Sequence, residues 1–436
     1  MKTFFRFTMI ALLMGFAQVL FAQDGRNLQF FRPVGQPGLN VFEPSKADTV
    51  EYEGVKVRVG GDFAMQFQGL SQSNNAEAGS GYELIELGNN FNLPTANLNL
   101  DVQLHDGVRM HLRTYLSSRH HNDAWIKGGY MQIDKLDFIS EGFMENIMKY
   151  TTIKVGLDEF NYGDAVHRRS DNARAIYNPF VGNYIMDAFS TEAFGEVTIQ
   201  NNGLLAVVGV TNGKLNQSAT ANPNNKASFY TKLGFDKQLS DDFRARLTGS
   251  WYVNTGTSTG GYLYGGDRAG ARYYNVLYTV GNEDLGVASQ GGNFDGRFNP
   301  RFSKISAVQI NPFIKAGGFE FFGIYEVANG LNEVTDEGSF TQIAAEALYR
   351  FGPNERYYIG GRYNTVNGKM AESATEEMNI SRLNFGGGWF LTDNIMTKVE
   401  YVNQQYNNDE AWTGPRNTRF AGAGFKGVMV EAVISF

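Results

Sequence analysis

Apolar and polar side chains alternate with a period of two through most of this sequence, and this feature constrains the fold more than any other. In the segment VMVEAVISF, the residues Val428, Val430, Ala432, Ile434 and Phe436 occupy every second position. The segment LPTANLNLDVQLHDG (93–107) repeats the pattern. Successive side chains of a β-strand point to opposite faces, so the alternation predicts strands with two chemically different faces.

The alternation predicts sixteen strands. They lie near residues 55–70, 92–105, 107–119, 122–136, 149–157, 185–200, 203–212, 226–239, 242–254, 302–316, 319–329, 338–350, 355–367, 379–391, 394–406 and 419–436. Some connections are short, such as LSDD, FGPNE and LTDN, whereas 71–91, 158–184, 213–225, 255–301 and 407–418 are long. Short turns on one side and long loops on the other are typical of outer-membrane barrels.

Two connections are long enough to contain regular structure of their own. The segment 137–148 is longer than a turn, and we expect one helical turn there. The connection 255–301 is long enough to contain a further hairpin.

Composition agrees with an all-β membrane protein. After Ala22 no stretch approaches the ~20 apolar residues that a helical membrane span requires. The sequence has no cysteine, so an exported chain of this size is stabilised without disulfides, by hydrogen bonds and packing. A closed barrel pairs every strand edge. We therefore predict an all-β fold, a transmembrane antiparallel β-barrel of about 16 strands; a soluble β-sandwich is the alternative.

The first residues have the pattern of a secretory signal peptide. Lys2 and Arg6 precede an apolar run, and the small residue Ala22 follows it, so we expect cleavage after Ala22. Loss of Lys2 and Arg6 changes the formal net charge from −7 to −9. The expected organisation is a signal peptide at 1–22, an irregular periplasmic N-terminal extension at 23–54 and a transmembrane β-barrel at 55–436.

The segment LNFGGGWFLTDNIMTKVEYVNQQY (383–406) resembles the C-terminal part of the phosphate-selective porin O and P family. It has an aromatic residue near the end of one strand, a short polar turn with Asn, and a charged strand ending in E-Y-V. The resemblance extends loosely from Val55 to Phe436. It implies a 16-stranded trimeric porin with Arg and Lys along an anion path and a third outer loop folded inward. In addition, Phe436 after an alternating segment resembles the assembly signal of bacterial outer-membrane barrels.

Basic residues gather on the inward-facing sets of the first, third and ninth predicted strands. We predict that these residues line the pore: Lys56, Arg58, Arg109, Arg113, Arg119, Arg244 and Arg246. Guanidinium groups offer paired donors to phosphate or carboxylate. The alternative is that these side chains pair with lumen carboxylates and merely keep the lumen hydrated; the candidates are Asp62, Asp101, Glu346, Glu400 and Glu431.

The long connection 158–184 mixes charges of both signs. Its candidate constriction residues are Asp158, Glu159, Asp164, His167, Arg168, Arg169, Asp171 and Arg174. If this connection folds inward, its charges narrow the pore and set a transverse field that selects solutes. The alternative is an outer loop that is solvated like any other.

No motif predicts catalysis. His120, His121 and Asp123 are residue types that bind metals, but adjacent residues at a strand end point to opposite sides, so we predict a loop tip and no metal site. No nucleophile elbow, HExxH motif or P-loop occurs, so we predict neither enzymatic activity nor a cofactor. The alternative is an outer-membrane enzyme, which would need a Ser or an Asp–His group near the barrel rim.

The predicted function is that of an outer-membrane porin for passive diffusion of small hydrophilic solutes, with a weak anion or phosphate preference. The alternative is a structural or docking barrel that partners other envelope proteins, which the extension at 23–54 and the acidic charge balance favour. The expected partners are the lipid bilayer of the outer membrane and small hydrophilic solutes or anions. The resemblance implies a homotrimer, and nucleic acid is not an expected partner.

Overall fold

The computed structural model describes residues 28–47, 50–117, 124–170, 174–214, 221–257, 262–265, 273–280, 294–332, 336–414 and 417–436. Sixteen strands form one closed barrel, in which each strand pairs with its neighbours along the chain and the first strand pairs with the last. The pairs are antiparallel. The predicted all-β fold and the predicted number of barrel strands are confirmed.

The barrel strands are numbered here along the chain. They are β1 (Lys56–Ser73), β2 (Asn90–His105), β3 (Val108–Ser117), β4 (Ala124–Ile133), β5 (Thr151–Glu159), β6 (Thr191–Asn201), β7 (Leu204–Thr211), β8 (Ser228–Ser240), β9 (Phe243–Asn254), β10 (Phe302–Ala316), β11 (Phe319–Asn332), β12 (Asp336–Phe351), β13 (Tyr357–Lys369), β14 (Met378–Thr392), β15 (Ile395–Asn407) and β16 (Gly424–Ser435).

The two ends of the barrel differ in their connections. At one end, called the short-turn end, the strands are joined by 106–107, 134–150, 202–203, 241–242, 317–318, 352–356 and 393–394. The opposite, long-loop end includes the connections 74–89, 160–190, 212–227, 255–301 and 408–423. The expected helical turn is present as Glu145–Met148. The connection 255–301 contains a two-residue ladder, Tyr273–Tyr274 with Phe294–Asp295, that is separate from the barrel sheet.

Most predicted strands match the observed ones to within a few residues, but the prediction for 185–200 starts too early. Strand β6 begins only at Thr191, because the preceding residues cross the lumen. The backbone N–H of Ile185 donates to Asn364 Oδ1 at 2.7 Å, and that of Met186 donates to Gln342 Oε1 at 2.9 Å. These residues therefore pair with side chains of the opposite wall instead of extending the strand.

The polarity of the barrel is inverted relative to a soluble protein. Apolar side chains are exposed on the outer face, for example Val208, Leu233, Ile359 and Phe385, which are 53–64% exposed. Charged and amide side chains are buried on the inner face, including Asn311, Glu326, Glu346 and Arg362. An apolar outside and a polar inside define a barrel that faces lipid. Among the described residues, no helix is long and apolar enough to cross a membrane.

Two non-strand segments lie inside the barrel. Residues 28–47, called the collar, contain no strand and lie inside the short-turn mouth. Residues 160–190, called the inner loop, cross the lumen, and Phe180, Val181, Ile185 and Met186 are at most 1% exposed. These two segments determine how much of the lumen stays open.

Candidate channel and constriction

The collar follows the inner circumference of the short-turn mouth. The backbone N–H of Gln29 donates to Gln103 Oε1 of β2 at 3.0 Å. The backbone N–H of Gln36 donates to the carbonyl of Asp393, between β14 and β15, at 2.7 Å. Lys46 Nζ then lies 2.8 Å from Asp134 Oδ1, just after β4. The collar is thus attached to widely separated parts of the rim and narrows the mouth as a whole.

Buried contacts attach residues 40–43 of the collar to strands β9, β10 and β11. Glu43 Oε2 accepts a hydrogen bond of 2.8 Å from Arg246 Nη1 on β9, and Asn40 donates to Glu320 on β11. Phe42 is 1% exposed and packs edge-to-face on Phe313 of β10, with 5.3 Å between ring centroids. Since each contact pairs a collar side chain with the barrel wall, the collar is part of the folded lumen.

The inner loop is anchored to the wall opposite β1–β6. Arg168 Nη2 lies 2.7 Å from Glu346 Oε1 on β12. The backbone N–H of Val181 donates to Glu400 Oε2 on β15 at 2.7 Å, and the guanidinium of Arg362 donates to the carbonyl of Gly182 at 2.8 Å. The loop therefore fills the half of the lumen that is bounded by β8–β15.

Asp164 is the centre of the most buried charge cluster of the inner loop. It is fully buried, and its carboxylate accepts hydrogen bonds from Lys232 Nζ at 2.9 Å, from Arg246 at 2.8 Å and from Thr248 at 2.8 Å. Burial disfavours its ionisation, but Arg246 and Lys232 outweigh burial and hold the pKa of the Asp164 carboxyl well below its usual range.

Glu43 and His167 complete this cluster. Burial disfavours the charged form of Glu43, yet Arg246 and Lys232 keep the pKa of its carboxyl well below the usual range. Burial lowers the pKa of His167 to about 4, although Glu43 favours the protonated ring. Ligand atoms of Glu43, Asp164 and His167 lie within 4.8 Å of one another. However, Lys232 and Arg246 already supply the compensating positive charge, so this group does not fit a metal ion.

A cavity of about 190 Å³ remains between the collar, the inner loop and the inner faces of β1–β6. Four of its basic residues lie on these strands: Arg58, Arg109, Arg113 and Lys154. Arg58 pairs with Asp101 at 3.1 Å, and Arg113 pairs with Asp158 at 3.4 Å. The cavity is therefore lined by charges of both signs.

Arg109 and Lys154 are cations of the cavity wall, as Asp62 and Glu196 are carboxylates of the same wall. Within the described part of the chain, neither cation forms an ion pair with a carboxylate. Arg109 Nη2 donates to Gln132 Oε1 at 2.7 Å and to the carbonyl of Phe30 at 3.2 Å. Both cations also lie over the ring of Tyr130. Arg109 Cζ is 5.9 Å and Lys154 Nζ is 5.2 Å from the ring centroid. Tyr130 therefore holds both cations in one corner of the cavity, where Glu196 lies opposite Lys154 in the register of β5 and β6.

The predicted pore-lining residues divide into separate groups. Arg58, Arg109 and Arg113 lie together in the cavity wall. Arg244 and Arg246 lie on β9 and bind Asp236 and collar or inner-loop oxygens instead. Lys56 lies at the rim and pairs with Glu53 at 2.8 Å. Arg119 lies outside the described residues, as do His120, His121 and Asp123.

The candidate constriction residues lie in different parts of the structure. Asp158 and Glu159 are the last residues of β5 rather than part of the loop. Asp164, His167, Arg168 and Arg169 lie within the inner loop, where Arg169 pairs with Asp187 at 2.6 Å. Arg174 is 22% exposed at its side chain and lies 3.9 Å from Glu159. Asp171 lies outside the described residues.

The expected counter-charges take different partners. Asp101 pairs with Arg58, as the alternative interpretation anticipated, whereas Glu346 and Glu400 bind the inner loop. Asp62 accepts a hydrogen bond of 3.0 Å from Asn99, and Glu431 lies 3.7 Å from Lys398. The lumen is therefore largely an ion-paired network, in which Arg109 and Lys154 on one side and Asp62 and Glu196 on the other form no ion pair among the described residues.

Several basic lumen residues were not among the sequence candidates, and five of them are Lys154, Lys232, Arg362, Arg382 and Lys398. All five occupy inward positions of predicted strands, so the alternation that selected Arg109 could also have selected them. The contacts of the collar had no comparable sequence signal, because an irregular segment has no periodicity that indicates which side chains face the wall.

Phe436 closes the barrel seam. Its backbone N–H and carbonyl exchange hydrogen bonds of 2.9 Å with Gly61 of β1. Its side chain is 53% exposed on the outer face. Phe436 therefore contributes both to the pairing of the first and last strands and to the apolar outer surface.

A closed sixteen-stranded antiparallel barrel with an apolar outside, short turns at one end and long loops at the other is the fold of outer-membrane β-barrel proteins. Solved structures of porin-like barrels share it. The anion-selective porin of Comamonas acidovorans is 12% identical with a TM-score of 0.52, covering 88% of this chain and 100% of that one. Salmonella typhi OmpF, in a complex with daunomycin, is 13% identical with a TM-score of 0.50, covering 89% and 99%.

A third similar structure is the trimer form of OmpT, an outer membrane protein of Vibrio cholerae. It is 8% identical with a TM-score of 0.51, covering 88% of this chain and 100% of that chain. At these identities the likeness establishes the fold alone. No protein-family model matches the chain, and no curated protein matches its sequence. Membership of the phosphate-selective porin O and P family remains a prediction.

Proposed function

We propose that this chain is a porin of the cell outer membrane, through which small hydrophilic solutes diffuse passively. The observation that carries the proposal is the cavity beside β1–β6. The collar follows the short-turn mouth and the inner loop fills the half of the lumen bounded by β8–β15, which leaves a cavity of about 190 Å³ against this charged wall. A polar passage inside an apolar-coated barrel is the arrangement of a diffusion channel.

The proposed passage has a weak preference for anions. Arg109 and Lys154 supply positive charge without a paired carboxylate, and the low-dielectric barrel wall focuses their field. The preference is weak because Asp101 and Asp158 offset Arg58 and Arg113, and because Asp62 and Glu196 are carboxylates of the same wall. The formal net charge of −7 does not oppose it, since charges more than about 8–10 Å away are largely screened by salt.

The proposal includes a homotrimer and no catalytic step. A trimer is supported by the resemblance to the phosphate-selective porins and by the trimer form of the structurally similar Vibrio cholerae protein. The cluster of Glu43, Asp164 and His167 carries charges that Lys232 and Arg246 already compensate, so we assign it a structural role.

Reconstitution in a planar lipid bilayer tests this function. We expect stable ohmic current steps from the purified, heat-modifiable barrel, and a reversal potential displaced toward anions in a salt gradient. A folded barrel that never conducts would overturn the channel proposal. A strongly cation-selective channel would overturn the anion preference alone.

A second candidate function is a docking barrel for other envelope proteins, and the filling of the lumen favours it. Besides the collar and the inner loop, a buried aromatic cluster covers part of the long-loop end. Its members are Phe302, Phe340, Tyr406, Trp412 and Phe425, each 4% exposed or less. Planar-bilayer recordings distinguish the two functions, because a docking barrel would conduct no current even when the collar is removed.

A further inference from the structure

Aromatic side chains mark only part of the outer face at the short-turn end. They are Phe235 on β8, Phe319 on β11, Tyr349 and Phe351 on β12, Tyr357 on β13, Trp389 on β14 and Phe436 after β16, all 36–54% exposed. Four of them form a continuous row, with ring centroids 5.7–6.4 Å apart from Tyr349 to Trp389. Such a girdle lies at the boundary between the hydrocarbon core and the lipid headgroups.

This girdle is interrupted on strands β2–β6. Among the described residues of these strands, the outward side chains next to the short-turn end are aliphatic. They are Leu104, Val108, Ile133, Ile153 and Ile199. The barrel wall therefore provides no aromatic anchor at the membrane boundary over this part of its circumference.

The connection 134–150, called the rim segment, lies at this interruption. Lys135 Nζ pairs with Asp106 Oδ2, between β2 and β3, at 2.8 Å. The carbonyl of Tyr150 accepts a hydrogen bond of 2.9 Å from the backbone N–H of Gln200 on β6. The rim segment thus extends from the β2–β3 turn to the end of β6, which lies within the part of the rim where the wall has no aromatic residues.

The rim segment exposes an unusual amount of apolar surface. Five large side chains are 40–58% exposed: Phe138, Ile139, Phe143, Met144 and Ile147. The ring of Phe138 lies 6.4 Å from that of His105, which follows the lipid-facing Leu104. This apolar surface therefore adjoins the outer face of the barrel, which faces lipid.

We propose that the rim segment is a membrane anchor whose apolar side chains enter the inner leaflet of the outer membrane, at the boundary of headgroups and acyl chains. Lipid is the occupant because the exposed side chains continue the lipid-facing surface and supply the aromatic residues that β2–β6 lack. Transfer of such apolar side chains from water into the membrane interface is favourable.

Site-directed spin labelling tests the proposal, because the chain has no cysteine of its own. Phe138→Cys and Ile147→Cys would each be labelled with a nitroxide and reconstituted in vesicles of phosphatidylethanolamine and phosphatidylglycerol. Two controls set the scale: Ile343→Cys on the lipid-facing wall, which is 47% exposed in the isolated chain, and Asp241→Cys in an exposed turn. Heat-modifiable migration would verify that each labelled barrel is folded.

The measured quantity is the ratio of collisions with oxygen, which concentrates in lipid, to collisions with a water-soluble nickel chelate. We expect the ratio at positions 138 and 147 to lie clearly above that of Asp241→Cys and below that of Ile343→Cys. A ratio equal to that of Asp241→Cys would place the segment in water and overturn the proposal. Protection from both reagents would also overturn it, since protein and not lipid would then cover the segment.

Discussion

Arg168 of the inner loop and Glu346 of β12 form a buried ion pair, with 2.7 Å between Nη2 and Oε1. Their side chains are 3% and 1% exposed. Glu346 also binds Arg362 of β13 at 2.6 Å. Arg362 of the barrel wall therefore compensates the charge of Glu346. The second cation, Arg168, belongs to the inner loop and fixes this loop to the wall.

This arrangement predicts that Arg168→Ala releases the inner loop without disrupting the wall. Removing one partner of a buried ion pair costs about 3–5 kcal/mol, and we expect a value near the lower limit because Glu346 retains Arg362. Trypsin should cleave the loop of the folded variant faster than that of the wild type, which mass spectrometry of the fragments would measure.

Arg174→Ala is the matched control for this substitution. Its side chain is 22% exposed and lies 3.9 Å from Glu159, so the loss should not exceed about 1 kcal/mol. Equal resistance of Arg168→Ala and wild type to trypsin would contradict an anchoring role for the Arg168–Glu346 pair.

Deleting the collar, residues 28–47, should enlarge the channel. Phe42 and Glu43 would leave the lumen, while Arg246 would keep its ion pairs with Asp164 and Asp236. Asp134 at the rim would lose its ion pair with Lys46, but the buried cation of β9 stays compensated, and the barrel should remain heat-modifiable. We expect a higher single-channel conductance in planar bilayers than for the full chain. An unchanged conductance would mean that the collar does not limit the passage.

The sequence predicted the barrel because its alternation is a property of each strand by itself. The same alternation selected Arg58, Arg109 and Arg113, which share the cavity wall since β1, β2 and β3 are adjacent. Arg246 could not be assigned correctly in this way. Its partners Glu43 and Asp164 lie on irregular segments, and their positions depend on how these segments pack inside the closed barrel.

Acidification should weaken the contact between the collar and the inner loop through His167. Burial lowers the pKa of this ring from its usual value of 6.5 to about 4, so the native state holds it neutral. The neutral buried ring therefore leaves the folded state at its full stability above pH 6.5. As the pH falls from 6.5 toward 4, the free energy of unfolding decreases by about 3 kcal/mol in total. Glu43 stays ionised over this range, because its pKa is well below the usual one.

His167→Gln isolates this effect, since glutamine keeps a donor near Glu43 but does not titrate. We expect the sensitivity of the inner loop to proteolysis to rise between pH 6.5 and pH 4.5, and to rise more steeply in the wild type than in this variant. A protease that is active over the whole range, or digestion after a pH jump, would keep the comparison valid. Identical pH profiles would refute the role of His167.

Phe436 should be needed for efficient assembly. Deleting it removes two backbone hydrogen bonds to Gly61 at the seam, each worth about 1 kcal/mol, and an exposed apolar side chain. We expect a smaller heat-modifiable fraction in the outer membrane, whereas Phe436→Tyr, which keeps the backbone and the aromatic ring, should assemble normally. Normal assembly of the deletion variant would show that Phe436 is dispensable.

Arg109 and Arg113 should together set the anion preference of the channel. Replacing both by Ala removes the unpaired positive charge of Arg109 and leaves Asp158 without its contact to Arg113, so both changes favour cations. The reversal potential in a salt gradient should therefore shift toward cation selectivity while the barrel stays assembled. Lys56→Ala is the control, because Lys56 pairs with the exposed Glu53 at the rim and does not line the cavity. If the double variant and Lys56→Ala both match the wild type, the current does not pass this wall, and the passage must be sought elsewhere in the lumen.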